Sequence, residues 1–212
     1  MRKHLVTAVA LATAAVTTAT LGLAPAQARS APLGQTSIAE VLAGDGLEFD
    51  DNWKDFDILD QAVNDVITAK PQSAVAVLAD GSVKLTAFAP TDRAFRKLVR
   101  AVAGVTAEDE AATYELLSTL GVDAIESVLL YHVVPGTPIT YKAAKKADGA
   151  RLTTANGAKL TVDYRKKSGL VYLIDRDRDA KNAFVLIGAK DINKGNRQIA
   201  HGVRSVLRPS NL

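Results

Sequence analysis

The chain has 212 residues, no cysteine and a formal net charge of +3. The lack of cysteine excludes a disulfide framework and a lipid-modified cysteine anchor, so an apolar core must stabilise the fold. The small net charge argues against a nucleic-acid-binding protein, because such proteins depend on many cationic contacts to phosphate groups.

The first 28 residues predict a secretory signal peptide. Residues 1–4 are basic, residues 5–23 are apolar or small, and Ala26-Gln-Ala28 is a small-residue cleavage site. A transmembrane helix over residues 5–23 is the alternative, but the cleavage site and the threonine content favour removal. Cleavage after Ala28 would leave 184 residues, with 24 basic and 23 acidic side chains and no membrane anchor. We therefore expect a secreted, extracellular protein, and the export signal suggests a bacterial source.

Charge is distributed unevenly along the expected mature chain. Residues 29–36 form a polar leader, and residues 37–56 form an N-terminal extension that starts with a short helix. Seven acids and one lysine lie between Asp45 and Asp60, whereas residues 142–151 and 165–167 are basic. These segments are expected either to be solvated faces or to form a polar surface that docks a charged polymer.

The main domain is predicted over residues 57–212, and it opens with a helix. Apolar residues after Asp57 recur at helical spacing until Pro71 ends the segment. Valines that alternate with other residues around Asp80-Gly81 then predict a β-hairpin between residues 75 and 87.

A strand-to-helix corner follows at residues 85–98, LTAFAPTDRAFRKL. The alternating start predicts a strand, Thr91 is a suitable helix N-cap, and Asp92 falls in the first turn. Phe88 and Phe95 are expected to be buried on either side of the corner. The segment contains no catalytic motif, so it indicates a structural element.

Further helices and a set of strands complete the pattern. The spacings Thr106-x-x-Asp109 and Asp123-x-x-Glu126 resemble capping boxes that open two helices. From Leu152 onward the pattern is strand-like, and Asn156-Gly157 is the strongest hairpin turn in the chain. Early helices and late strands predict an α+β fold with a largely antiparallel sheet or a sandwich. Further strands are predicted over residues 170–174, 183–187 and 199–207.

Three segments resemble, in order and spacing, the signatures of the fasciclin domain family. They are residues 86–95, TAFAPTDRAF, the central Tyr131-His-Val-Val134, and residues 199–209, IAHGVRSVLRP. In the closing signature Arg204 stands where the family usually has aspartate, and residues 196–201 hold one residue more than the usual spacing. The resemblance implies a fasciclin-like, wedge-shaped β-sandwich with flanking helices, in secreted or surface-held proteins that serve adhesion and matrix binding.

The resemblance also singles out Tyr131 and His132. In animal fasciclin proteins this region is associated with adhesion, which makes both residues possible interaction residues. They follow an apolar helical stripe, so a mainly structural role is the other hypothesis, and at least one side chain should face inward. Some relatives of the fold are thought to bind haem or other small molecules, and the same two residues could then be ligands.

No motif in the chain indicates catalysis. Apart from the signal peptide, the histidines are His132 and His201, and the chain has no G-x-S-x-G or H-E-x-x-H motif. Residues 175–179, DRDRD, lack the glycine and glutamate positions of an EF-hand calcium loop, which favours a charged turn. We therefore predict a non-enzymatic protein without a cofactor or a metal site.

These observations predict a secreted adhesion or interaction module that binds components of the cell envelope or the extracellular matrix. The expected partner is a cell-wall polysaccharide or another surface protein, and not nucleic acid. The alternative is an extracellular protein that binds a small ligand such as haem in a pocket between helices and sheet.

Overall fold

The computed structural model describes residues 32–44, 46 and 48–210, so the predicted signal peptide and the first three residues of the polar leader lie outside the described residues. The residues from Leu33 onward form one compact unit. Its helices are α1 (Ile38–Leu42), α2 (Asp57–Ala69), α3 (Asp92–Ala103), α4 (Glu110–Ser118), α5 (Val122–Tyr131) and α6 (Tyr141–Lys146). Its strands are β1 (Leu85–Pro90), β2 (Val133–Pro135), β3 (Arg151–Thr153), β4 (Lys159–Arg165), β5 (Leu170–Ile174), β6 (Ala183–Phe184) and β7 (Gln198–Val203).

Within the described residues the strands form two sheets, and β1 lies at the centre of the smaller one. Strand β1 pairs in parallel with β7, in register from Leu85 opposite Gln198 to Pro90 opposite Val203. On its other side β1 pairs antiparallel with β2, where Leu85 lies opposite Pro135. Because both neighbours bond to its backbone, β1 is held along both edges.

The larger sheet has the strand order β3-β4-β5-β6, and its described pairs are antiparallel. The predicted hairpin at Asn156-Gly157 is confirmed, because it joins β3 to β4. Gly157 has a φ of 82°, a left-handed conformation that favours glycine. The strand predicted over residues 170–174 is β5, and Val185 bridges from the end of β6 to Val203 of the smaller sheet.

The smaller sheet is buried on both faces, whereas the larger sheet is buried on one. All residues of β1 and β7 are buried, but buried and half-buried residues alternate along β5. Leu85 and Ala87 pack in a core formed with the helices, and Phe88 packs in a core shared with the larger sheet. The predicted α+β fold with flanking helices is therefore confirmed.

The hairpin predicted between residues 75 and 87 is wrong. Residues Ala74–Leu78 form a 3₁₀ helix, in which the Ser73 hydroxyl accepts a hydrogen bond from the Val75 N–H. Val75 and Leu78 are both buried, and a spacing of three places them on one face of such a helix. The valine spacing therefore came from a helical turn and not from a strand.

The structure also corrects two predicted helix starts. Helix α4 begins after Asp109, whose carboxylate accepts a 2.7 Å hydrogen bond from the Ala112 N–H, and not at Thr106. Helix α5 has Gly121 at its N-cap position. The carboxylates of the expected second capping box, Asp123 and Glu126, instead bind the ammonium group of Lys70, which follows α2.

The corner between β1 and α3 contains the predicted strand and helix. Thr91 occupies the N-cap position, but its side chain makes no capping hydrogen bond. The next residue, Asp92, instead accepts a 2.9 Å hydrogen bond from the Ile58 N–H in α2. Phe88 and Phe95 are 3% and 2% exposed, so both rings are buried as expected.

The start of the extension packs onto the domain core. Ile38 and Leu42 of α1 are buried, and the Ile38 N–H donates a 2.8 Å hydrogen bond to the Gln198 side chain at the start of β7. A side chain at Gly81 would place its Cβ 1.6 Å from the Gln35 carbonyl oxygen. This close approach explains the glycine in the turn before β1.

Candidate functional site

The three signature segments meet in the smaller sheet. Residues 86–95 supply β1 and the start of α3, the central signature runs from the end of α5 into β2, and residues 199–209 supply most of β7. Because β2 and β7 lie on either side of β1, segments far apart in the chain become direct neighbours. The signatures therefore encode one structural unit.

Tyr131 lies in the core between the two sheets and is 0% exposed. Its hydroxyl donates a 3.1 Å hydrogen bond to the Lys159 carbonyl at the start of β4. Burial raises the pKa of the Tyr131 phenol to about 12. The side chain thus joins α5 to the larger sheet as a neutral phenol.

His132 is 4% exposed, and both of its ring nitrogens have backbone partners. Nδ1–H donates a 2.7 Å hydrogen bond to the Val128 carbonyl, and Nε2 accepts a 2.8 Å hydrogen bond from the Leu207 N–H. Burial lowers the pKa of His132 to about 4, so the ring is neutral at physiological pH. A small ligand could coordinate this ring only by displacing one of the backbone groups.

His201 of β7 has a similar environment. Its Nε2–H donates a 2.7 Å hydrogen bond to the Ile139 carbonyl, and Nδ1 accepts a 3.1 Å hydrogen bond from the Asp191 N–H. The ring is 1% exposed, and burial lowers its pKa. The geometry gives His132 and His201 structural roles and leaves neither with a free ring nitrogen for proton transfer.

A cavity of about 670 Å³ opens beside α3 and strands β4, β5 and β6 of the larger sheet, and we call it the basic groove. No acidic side chain is found among the described residues that line it. Cationic and aromatic side chains dominate its wall: Lys97, Arg165, Lys181, Arg204, Arg208, Tyr172 and Phe184.

Aromatic rings position the arginines of the basic groove. The Arg165 guanidinium carbon lies 3.7 Å from the centre of the Tyr172 ring, and that of Arg204 lies 5.7 Å from the centre of the Phe184 ring. The two rings are themselves 5.3 Å apart. Cation–π contacts orient a guanidinium group and leave its full charge available to an anion.

The cations of the basic groove are only partly neutralised by the protein. Arg208 and Arg165 are paired at 2.9 Å with Asp177 and Asp163, respectively. In the part of the chain that the structure describes, neither Lys97 nor Arg204 forms a salt bridge. The Lys97 ammonium donates instead to the Arg204 carbonyl, at 3.2 Å.

The pKa of Lys97 is lowered by its burial and by the positive charges around it. Burial is the largest cause of the lowered pKa, and the neighbouring positive charges of Arg204 and Arg93 lower it further. A bound anion would reverse the electrostatic part of this shift. The basic groove therefore has the electrostatic properties of an anion-binding surface.

A second basic cavity, of about 530 Å³, lies at α6. Its cations come from the basic segment that begins at Lys142 and from Lys190, and Asp191 also lines it. The Lys145 ammonium lies 4.9 Å from the centre of the Tyr164 ring. The cavity combines charge and aromatic surface in the same way as the basic groove.

Comparison with protein-family models identifies the domain. The model of the fasciclin domain matches residues 59–209, which is well over half of the chain. The chain belongs to the fasciclin domain family. Fasciclin domains are in general modules of cell adhesion and interaction, and they are typically extracellular or secreted. A comparison with curated proteins gave no match.

A solved structure similar to this fasciclin domain is that of a domain pair from the insect cell adhesion molecule fasciclin I. The two sequences are 16% identical, and the TM-score is 0.43. The match covers 69% of this chain and 44% of that chain, so this chain spans less than half the length of that relative. None of the helices described here combines the length and the apolar character that crossing a membrane requires.

The sequence indicates some residues of the basic groove and not others. Arg204 departs from the fasciclin signature, and Arg165 opens a basic segment. Lys97 and Lys181 carry no local signal, because each is an ordinary charged residue in its own segment. Only the fold brings these positions to one cavity.

Proposed function

We propose that this fasciclin domain is a secreted, non-enzymatic interaction module that binds an anionic polymer of the cell envelope or extracellular matrix in the basic groove. The family supports the general role of adhesion and interaction. The observation that supports an anionic partner is the cluster of groove cations, in which Lys97 and Arg204 lack a carboxylate partner among the described residues.

A polysaccharide with carboxylate, phosphate or sulfate groups fits this arrangement. Arginine binds such planar or branched anions through two parallel hydrogen bonds, and the neighbouring Tyr172 and Phe184 offer apolar surface for sugar rings. The second basic cavity at α6 offers another contact for a repeating polymer. Because the expected mature chain is almost neutral overall, the attraction is local to these cavities.

Secretion is part of the proposal and has its own test. We propose that the signal peptide is cleaved after Ala28, so the mature protein begins at Arg29. Intact-mass measurement of protein from the culture supernatant should give the mass of residues 29–212. Recovery of only the full-length chain, in the membrane fraction, would contradict both cleavage and release.

Binding can be tested with purified residues 29–212 on immobilised polygalacturonate and heparin, with a neutral glucan as the uncharged control. We expect binding to both polyanions that weakens as salt is raised, because salt screens charge pairs near a surface. Replacing Lys97 and Arg204 together by glutamine should weaken binding by about tenfold, as expected for the loss of charge-assisted contacts.

The matched control replaces Lys84 and Lys194, which are exposed and lie outside both basic cavities, by glutamine. It removes the same charge and should leave affinity nearly unchanged. Equal loss in both double variants would show that net charge, not the groove, drives binding. Binding to the neutral glucan alone would reject an anionic partner, and a change in haem absorbance on titration would support the small-ligand alternative.

A further inference from the structure

Three carboxylates converge where the loop before α2 meets the first turns of α3 and α4. Asp55 comes from the loop, Asp92 from α3 and Glu110 from α4, and one oxygen of each lies within 4.8 Å of those of the other two. Asp55 also belongs to a second such group with Asp50 and Asp57. Residues distant in sequence thus place their acidic groups in one volume, which we call the acidic cluster.

The central members of the acidic cluster are buried and incompletely hydrogen-bonded. Asp92 and Glu110 are both 0% exposed. Asp92 Oδ1 accepts a 2.9 Å hydrogen bond from the Ile58 N–H, and Glu110 Oε2 accepts one of 2.9 Å from the Asp51 N–H. When the carboxylates are ionised, the second oxygen of each, Asp92 Oδ2 and Glu110 Oε1, has no hydrogen-bond donor among the described residues, and neither has Asp55 Oδ1.

The protein supplies no cation to these oxygens. Within residues 32–44, 46 and 48–210, none of the three carboxylates forms a salt bridge. The adjacent Arg96 is engaged elsewhere, because its Nε–H donates to the Ala107 carbonyl at 2.9 Å and its guanidinium lies 4.3 Å from the centre of the Trp53 ring. Buried carboxylates without partners are strongly disfavoured, so the cluster requires a positive charge or a proton.

We propose that Asp55, Asp92 and Glu110 form a calcium site that fastens the acidic loop to α3 and α4. This site was not expected from the sequence. Three convergent carboxylate oxygens are ligands of the kind that a hard cation prefers, and Asp50 can add a further oxygen. Calcium fits better than magnesium, because its larger and more variable coordination shell accepts carboxylates from an irregular loop.

The burial and close spacing of these carboxylates raise the pKa values of two of them. Burial, a hydrogen bond that protonated Asp92 makes with Asp55, and the charges of Asp55 and Glu110 raise the pKa of Asp92 to about 9, and burial raises the pKa of Glu110. A divalent cation would act in the opposite direction, since it favours the ionised form of each carboxylate.

The loop that carries Asp55 also contains a tryptophan whose fluorescence can detect a change in the loop. Trp53 is the only tryptophan of the chain, and its carbonyl accepts a 3.1 Å hydrogen bond from the Arg93 N–H in the first turn of α3. Asp51, earlier in the loop, has a φ of 65°, an unusual conformation for a residue other than glycine. Calcium that fastens this loop should change the fluorescence of Trp53.

The experiment uses residues 29–212, stripped with EDTA and dialysed, with calcium chloride added at constant ionic strength. Half-maximal change in Trp53 fluorescence is expected between about 0.1 and 1 mM, the range of extracellular calcium modules. At ten times that concentration the melting temperature should rise by about 3–6 °C. Magnesium chloride, titrated in parallel, should give a weaker response at each concentration.

Glu110→Gln tests the assignment, and Glu115→Gln is its control on the exposed face of the same helix. In the Glu110→Gln variant, the calcium concentration that gives the half-maximal fluorescence change should rise at least tenfold. The control should respond like the wild type. Without calcium, Glu110→Gln should melt no lower than the wild type, because it removes one of several repelling charges. If it does not fold, Asp55→Asn replaces it.

Several results would overturn the proposal. The wild type could show no response up to about 10 mM calcium, which lies above the affinity range of extracellular sites. The Glu110→Gln variant could respond at the same concentration as the wild type. A stronger response to magnesium would reject calcium as the ligand. A cluster that is held by protons alone gives the first of these outcomes.

Discussion

The smaller and the larger sheet differ in burial and in whether they carry the family signatures. The smaller sheet is buried on both faces, carries all three family signatures, and satisfies its polar side chains with backbone groups. The larger sheet is buried on one face, and Arg165, Tyr172 and Phe184 contribute to the basic groove. The most recognisable residues of the chain are thus the least accessible to a partner.

This difference separates residues that specify the fold from residues available for recognition. A strand between two cores tolerates few side chains, because each must fit a close-packed environment. A sheet with one exposed face constrains its inward positions only. Substitutions in the smaller sheet should therefore lower stability, whereas substitutions at the basic groove should lower binding.

The largest effect is expected at the corner beside the smaller sheet. Phe88→Ala and Phe95→Ala should each lower the free energy of unfolding by about 3–5 kcal/mol, because each removes a buried ring and leaves a cavity. Phe184→Ala is the control from the groove, where the ring is only half-buried, and should cost less. Chemical denaturation measures all three. Equal losses would remove the distinction between the two sheets.

Acid should destabilise the protein through His132. Its pKa is about 4 in the folded chain and 6.5 when unperturbed, so the unfolded state binds the proton more tightly. The stabilisation is present above pH 6.5 and is lost progressively as the pH falls to 4, with a total of about 3 kcal/mol. His201 contributes in the same direction.

Unfolding free energies measured from pH 7 to pH 4 check this prediction. Carboxylates also titrate in this range, so the comparison is with His132→Gln, whose pH dependence should be shallower than that of the wild type. Superimposable pH profiles would mean that His132 is not the buried neutral ring described here.

His132→Ala at pH 7 should cost about 1–3 kcal/mol of stability, because the Leu207 N–H and the Val128 carbonyl lose their partner. Binding to a polyanion or a wall fraction, measured well below the melting temperature, should be unchanged. Tyr131→Phe removes one hydrogen bond and should lower stability less than His132→Ala does. If binding disappears in a variant that melts like the wild type, the pair belongs to the contact surface.

The smallest effect on stability is expected at Arg204. Arg204→Asp restores the residue usual in the family and should change the unfolding free energy by no more than about 0.5 kcal/mol, because the side chain is exposed. Its effect on polyanion binding should exceed that of Arg204→Gln, because it introduces repulsion. A large loss of stability would show that Arg204 holds the end of β7.

The sequence predicted the fold better than the surfaces, for physical reasons. The corner at residues 85–98 and the Asn156-Gly157 turn are local patterns, and both are confirmed. The hairpin between residues 75 and 87 failed, because a spacing of valines near a turn fits either a strand or a 3₁₀ helix. Local pattern alone did not decide between them.

The burial and the neighbours of the charged residues are set by tertiary structure, so the sequence did not predict them. The composition of the acidic segment from Asp45 to Asp60 is typical of a solvated face, yet Asp57 and Asp60 are buried. Asp92 fitted a helix first turn, and nothing near it in sequence shows that Asp55 and Glu110 lie beside it. Sequence patterns report which residues avoid water, but they do not report which distant charges become neighbours.

The parallel pairing of β1 with β7 constrains how the chain acquires its structure. Leu85 pairs with Gln198, so the central strand receives one neighbour only from the C-terminal part of the chain. Such long-range pairing raises contact order and slows folding, since a long loop must close before the contacts form. During synthesis, β1 therefore keeps one unpaired edge until residues 198–203 have emerged, and a truncation before β7 leaves that edge open to association with other chains.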